Sequence, residues 1–216
     1  MNKEETIKIL KRYLPEGSVD TVYYWLEKKK IHFLISRKRS TKLGDYKPPV
    51  RYPNHRISVN HNLNPYAFLI TFTHELAHLL VYEKYGNTVK PHGNEWKREY
   101  KALMIPYLEN NIFPGELKKA LMIHLENSRA SSNTDIALTK ILKTYDKKEH
   151  LTGDGSVYLE TLSEGEKFVF GNNRIFLKLE KRRTRFRCKE LKTGRLYLFH
   201  PLAEVIPLNN TTNDIT

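Results

Sequence analysis

Residues 64–96 read NPYAFLITFTHELAHLLVYEKYGNTVKPHGNEW, and three histidines and a glutamate in this stretch carry the chemistry. His74, Glu75 and His78 form an H-E-x-x-H pattern, and His92 follows fourteen residues after His78. Four residues apart on a helix, His74 and His78 lie one above the other and can bind one metal ion together. Neutral imidazole nitrogens suit Zn²⁺, and three protein ligands leave the fourth tetrahedral position to a water. The ion lowers the pKa of that water to about 7, which makes hydroxide available at neutral pH. Glu75 can take the proton and hand it to a leaving amine without being a ligand itself. Lysine or glutamine at that position would keep the helix and lose the base.

This chemistry needs a helix, and the flanking residues supply its ends. Asn64-Pro65 gives an N-cap and a first-turn proline, and Tyr85-Gly86 gives a stop. Phe68, Leu69, Ile70, Phe72, Leu76, Ala77, Leu79, Leu80 and Val81 make the segment apolar on nearly every side, as in a central, buried helix. Histidines and a glutamate buried there need partners, and a metal provides one. The third ligand is less constrained by spacing. His92 sits in a Pro91-His92-Gly93 turn before a second helical pattern, where Trp96, Tyr100 and Leu103 share a face. Alone it reads as a surface turn histidine; beside the H-E-x-x-H helix it ranks first as third ligand, ahead of Glu95 and then His61. Glu95 also reads simply as a first-turn acid favoured by the helix dipole.

The block LGDYK at 43–47, RISVN at 56–60, LNPYAFLITFTHELAH at 63–78 and HGNEW at 92–96 resembles, in order, the SprT-like or Spartan-type zinc metallopeptidase domain. The resemblance covers roughly the first half of the chain. It implies His74, His78 and His92 as ligands of one Zn²⁺ ion, Glu75 as the catalytic acid/base, and an association with DNA, since eukaryotic members act on DNA-bound proteins. Many members carry a four-cysteine zinc ribbon after the protease domain. These 216 residues hold one cysteine, Cys188, so the ribbon and any role it has in DNA binding do not carry over.

The chain is long enough for one or two small domains. A 39% hydrophobic and 28% charged composition fits a soluble globular protein. There is no apolar run of membrane-span length, the first residues lack the apolar block of a secretory signal, and one cysteine excludes an intrachain disulfide framework. A cytoplasmic protein with no membrane partner is the expectation. Thirty-seven Lys+Arg against 24 Asp+Glu give a net charge of +13, which attracts polyanions such as DNA. The cations concentrate: residues 28–56 hold ten against the single acid Asp45, and residues 167–195 hold eleven against Glu180 and Glu190. Arg37, Lys38, Arg39 and Lys42 are the first candidate nucleic-acid contacts. As plain alternatives, the Lys28–Lys30 run complements a helix C-terminus and a basic strand face can be merely solvated.

Elsewhere the pattern predicts a helix over 3–14, a second helix capped by Ser18, and a strand in which Ile31, Phe33 and Ile35 alternate. A turn is expected at Leu43-Gly44-Asp45, followed by a strand over 56–60. After the Trp96 helix, Ile105-Pro106 reads as a break; helices over 114–126, with His124 partly exposed, and over 135–145 follow. Residues 127–133 read as a linker and 146–155 as a turn-rich joint. From 156 on the pattern changes to short strands over 157–159, 168–170, 175–179, 186–191 and 196–199, with hairpin turns at Gly171-Asn172-Asn173 and Lys192-Thr193-Gly194. Arg183, Arg185, Arg187 and Lys189 alternate with Thr184, Phe186 and Cys188, which gives a basic face, the second candidate nucleic-acid surface, and an apolar face holding a buried, inert thiol.

The resulting expectation is an α+β, zincin-like domain over 1–126, with a central H-E-x-x-H helix and a small antiparallel sheet. A linker with a short helix over 127–155 leads to a small basic all-β, SH3-like domain over 156–208 and a polar tail over 209–216. The functional expectation is zinc-dependent hydrolysis of a protein or peptide substrate, with DNA-associated proteins a candidate target. The competing reading is a non-catalytic nucleic-acid or protein-binding module whose structural zinc is closed by Glu95 or His61.

Overall fold

A computed structural model describes residues 2–39, 41–50, 52–126, 135–146 and 155–208. The linker expected at 127–133, most of the joint at 146–155 and the tail lie outside the described residues. The chain divides into two compact units, Met1–Asp146 and Lys147–Thr216, and among the described residues they hold six helices and two sheets. No described helix is long and apolar enough to cross a membrane.

The first unit is built around α3 (Pro65–Tyr85). Asn64 caps it by accepting from the Ala67 N–H at 2.9 Å, Pro65 occupies the first turn, and Gly86 ends it at φ +58°. The Asn64 amide also donates to Leu142 O and Asp146 Oδ1, which ties the start of α3 to the end of α6 (Ile136–Lys143). Phe68, Leu69, Phe72, Leu76, Ala77 and Leu79 are fully buried, and Thr71 and Thr73 satisfy their hydroxyls on carbonyls four residues back. Helices α1 (Lys3–Leu10) and α2 (Val19–Lys28) add Leu10, Val22 and Leu26 to this core. Ser18 precedes α2 as expected, but its hydroxyl donates to Pro15 O instead of capping the helix.

One sheet flanks α3. Its strands β1 (His32–Ser36), β2 (Gly44–Lys47) and β3 (Arg56–Asn60) lie in the order β1-β3-β2. It is mixed, not antiparallel: β2 reverses the chain, so β3 comes back antiparallel to β2 and parallel to β1. The turn expected at Leu43-Gly44-Asp45 is therefore the start of an edge strand.

Three helices differ from expectation, the first being α1, which ends at Leu10 where the pattern predicts a helix to residue 14. Helix α4 (Asn94–Glu109) runs through Pro106 and ends a turn later at Asn110, because Met104, Tyr107 and Leu108 on its final turns are buried in the core. That packing outweighs the backbone bond a proline cannot make. In α5 (Gly115–Glu126), His124 is not partly exposed but 1% exposed, with Nδ1 3.3 Å from Asp135 Oδ2. Asp135 caps α6 as well, accepting from the Leu138 N–H at 3.2 Å.

The second unit is a six-stranded sheet in which all pairings are antiparallel. It comprises β4 (Val157–Tyr158), β5 (Lys167–Phe170), β6 (Arg174–Arg182), β7 (Arg185–Glu190), β8 (Leu196–Phe199) and β9 (Glu204–Pro207), in the order β4-β9-β5-β6-β7-β8. Strand β9 was not anticipated. Phe168, Phe176, Cys188, Phe199 and Val205 form the core with Leu159. Lys178 is buried beside them and donates to the carbonyls of Leu159, Glu160 and Leu162, which hold the cation in place of water.

Candidate metal centre

Two successive turns of α3 aim His74 and His78 out of the core toward one point. The third ring arrives from beyond the helix. His92 adopts φ +58°, a left-handed conformation uncommon for a side-chain-bearing residue, within the turn that leads into α4. Gly93 follows, where a Cβ would stand 3.0 Å from Lys90 O. The Nε2 atoms then form a nearly equilateral triangle: His74–His78 3.2 Å, His78–His92 3.0 Å and His74–His92 3.1 Å. Trp96, fully buried on the first turn of α4, lies against all three, its ring centroid 4.6, 5.4 and 4.8 Å from those of His74, His78 and His92. Its indole Nε1 is buried without a hydrogen-bond partner, so packing alone holds the ring in place.

The triangle identifies what it can hold. Each Nε2 is either a donor or an acceptor, and three mutual neighbours cannot be assigned without leaving one donor–donor or acceptor–acceptor pair. A cation between them removes the conflict, and metal–nitrogen bonds of about 2.05 Å at tetrahedral angles would space the nitrogens by about 3.3 Å. The electrostatics agree. Burial pushes His74 down to about 2 and His78 down to about 4, neighbouring histidines adding to both shifts, and burial also lowers His92. All three rings are thus neutral at physiological pH, as ligands must be. His74, His78 and His92 could hold a metal ion, and among the described residues no other group of three or more His, Cys, Asp or Glu could do so. Glu95 and His61 stand outside the triangle.

Glu75 lies on the same turn as His74 and is buried. Burial first, and Asp45 second, raise its pKa to about 8; the Tyr46 backbone N–H, Arg39 and Lys42 work in the opposite direction. The carboxylate packs against β2, where a Cβ at Gly44 would be 2.6 Å from Glu75 Oε1 and 2.7 Å from Thr71 Cγ2. The three histidines, Glu75, Thr71 and residues 41–46 enclose a cleft of about 420 Å³. Tyr46 also lines it, its hydroxyl 2.8 Å from His55 Nδ1. In sequence, Gly44 reads as a turn residue and Trp96 as one face of a helix; the LGDYK and HGNEW blocks are the signal that ties both to the site.

The other singled-out residues scatter. Arg37 and Lys38 are exposed, whereas Arg39 is turned inward, donating to Asn60 Oδ1 at 2.8 Å and Ser58 Oγ at 3.1 Å. Lys42 pairs with Asp45 at 2.7 Å. In the second unit Arg183 is not on a strand face but in the β6–β7 turn at φ +48°, Arg187 pairs with Glu180 at 2.9 Å, and Arg185 and Lys189 are exposed. Burial raises the Cys188 thiol to about 11, which makes it a poor nucleophile.

Comparison with known proteins agrees with the geometry. The model of the SprT-like family matches residues 7–113. Protein SprT of Glaesserella parasuis serovar 5 (strain SH0165) is 58% identical over 31 residues, a stretch that covers 14% of this chain and 19% of that protein. The chain thus aligns with less than two thirds of that relative's length. No solved structure matches. The histidine triangle lies inside the region of the chain, residues 7–113, that is similar to the SprT-like family.

Proposed function

We propose that the chain is a zinc-dependent metallopeptidase in which His74, His78 and His92 hold one Zn²⁺ ion and Glu75 is the general base and acid. The observation that carries this reading is the meeting of three neutral imidazoles beside a buried carboxylate in a cleft bordered by an edge strand. Zn²⁺ bound there supplies Lewis acidity and makes a water nucleophilic near neutral pH. Glu75 accepts the proton of the attacking water and holds it at a carboxylate oxygen until the leaving amine takes it. Its high pKa suits that exchange, and a cation at the triangle draws the value down toward neutrality. Strand β2 ends the sheet, and its free edge can pair with an extended peptide backbone along the cleft.

A closed structural site would need a fourth protein ligand. The triangle has three members among the described residues, which supports an open position and hydrolysis over the binding-module reading. The test is hydrolysis of an unfolded protein by the zinc-loaded chain, its loss on chelation and its recovery on zinc addition. Glu75→Gln should lower kcat by at least about a hundredfold with zinc content unchanged. Turnover that survives Glu75→Gln, or a zinc-loaded protein that hydrolyses no peptide bond, would defeat the proposal.

A further inference from the structure

We propose that the face of the first sheet turned away from α3 is a cationic shelf selecting acidic side chains in the peptide presented to the metal cleft, an inference that rests on the peptidase reading. Along these strands alternate residues face opposite ways. Phe33 packs on Phe68 and Phe72, Tyr46 on Tyr82, and Ile57 and Val59 are fully buried, so these residues face the helix side. Asp45, Lys47, Arg56 and Ser58 therefore face away, and with Arg39 and Lys42 they line a second concavity of about 380 Å³. Four of those six residues are cations and one is an acid.

The pairing within this concavity is unfavourable without a ligand. Lys47 lies directly opposite Arg56 in the β2–β3 register, and like charges at such positions repel. Asp45, the single acid among the lining residues, is shared between Lys42 at 2.7 Å and Lys47 at 3.9 Å. Arg56 Nε is buried with no hydrogen-bond partner, and the guanidinium is stacked on the exposed Tyr52 ring at 4.4 Å. A carboxylate reaching the shelf would offset this excess of cations through charge-assisted hydrogen bonds.

The route to the shelf is the edge strand. Lys42 and Asp45 line both this concavity and the metal cleft, and β2 separates the two. A peptide added to β2 sends alternate side chains to each face. Those on the α3 side meet the cleft; those on the other side pass over Lys47 with Cβ separations of about 5 Å, close enough for Glu or Asp to reach its ammonium group. Continuity with the cleft favours a peptide over a phosphodiester chain as the occupant.

The experiment uses the full zinc-loaded chain and a peptide set differing only by Glu, Gln or Lys at each position flanking the cleaved bond. Wild type should favour Glu over Lys in kcat/KM by about three- to tenfold at alternate positions. Lys47→Gln with Arg56→Gln should bring that ratio to about one, and Lys47→Glu should invert it. A parallel arm measures anisotropy of labelled Glu and Lys peptides on zinc-loaded Glu75→Gln, which reads the shelf without turnover. If no peptide is cleaved and the anisotropy preference persists, the peptidase reading falls and the shelf stands. Equal cleavage of Glu and Lys peptides, or equal binding, overturns the shelf. A single-stranded oligonucleotide that displaces the Glu peptide, and loses its own binding in the double variant, overturns it too by assigning the surface to phosphates.

Discussion

Gly44 and Glu75, thirty-one residues apart in sequence, are in such close approach that a β-carbon on the glycine would lie 2.6 Å from Glu75 Oε1 and 2.8 Å from its Cγ. The missing side chain is what lets the edge strand lie against the carboxylate. Gly44→Ala should push that carboxylate aside while leaving the histidines, which Trp96 supports from the opposite element, in place. A displacement of about 1 Å at a reacting group can cost a hundredfold. We expect kcat to fall tenfold to a hundredfold with zinc content unchanged. Wild-type kcat, or loss of zinc along with activity, would show that the contact does not position Glu75.

The metal-free protein should have a stability maximum near pH 6.5. His74 and His78 titrate at about 2 and about 4 in the folded chain against an ordinary 6.5, and His92 is lowered as well. Below pH 6.5 the unfolded chain therefore binds protons that the folded chain refuses, and stability is lost as pH falls toward 4. Glu75 acts in reverse. Raised from 4.5 to about 8, it holds a proton in the folded chain that the unfolded chain has released, so its contribution is lost as pH rises to 8. Thermal melts after chelation should fall by a few degrees on both sides of the maximum. Glu75→Gln should remove the alkaline fall and keep the acidic one; an alkaline fall of the same size in the variant contradicts the assignment.

In the second unit, Lys178 holds three carbonyls together, and Phe186 lies 4.0 Å from its ammonium group. Lys178→Met keeps the length and removes the donors, leaving buried carbonyls unsatisfied at a cost of about 2–4 kcal/mol. Denaturant unfolding should show a lower midpoint for this unit, with the zinc content of the first unit unaltered. A midpoint equal to that of wild type would mean that water replaces the ammonium group without loss.

The features legible in sequence are the local ones. The i, i+4 histidines, the Asn64 cap and the apolar girth of α3 are encoded within one helix, and the alternation of Ile31, Phe33 and Ile35 within a single stretch of chain. Contacts made across the fold were not legible. Leu43-Gly44-Asp45 reads as a turn because glycine usually marks one; its strand role depends on Glu75 of a distant helix. His124 reads as half exposed until Asp135 of another helix covers it. Arg39 reads as a free cation, yet Asn60 and Ser58 hold it. The parallel β1–β3 pairing follows from β2 occupying the edge, an arrangement no local pattern records. For His92, spacing narrowed the choice to three candidates, and the backbone turn at φ +58° brings that ring, not Glu95 or His61, to the other two.

The most direct test is the metal content of the purified chain, with X-ray absorption at the zinc edge, for wild type and for His74→Ala, His78→Ala and His92→Ala in turn. The account predicts one zinc per chain bound by three imidazole nitrogens and one light-atom ligand from solvent, with each substitution weakening binding by at least about a hundredfold. A wild-type chain that binds no stoichiometric zinc, or a His92→Ala variant that binds it as tightly as wild type, would contradict the account.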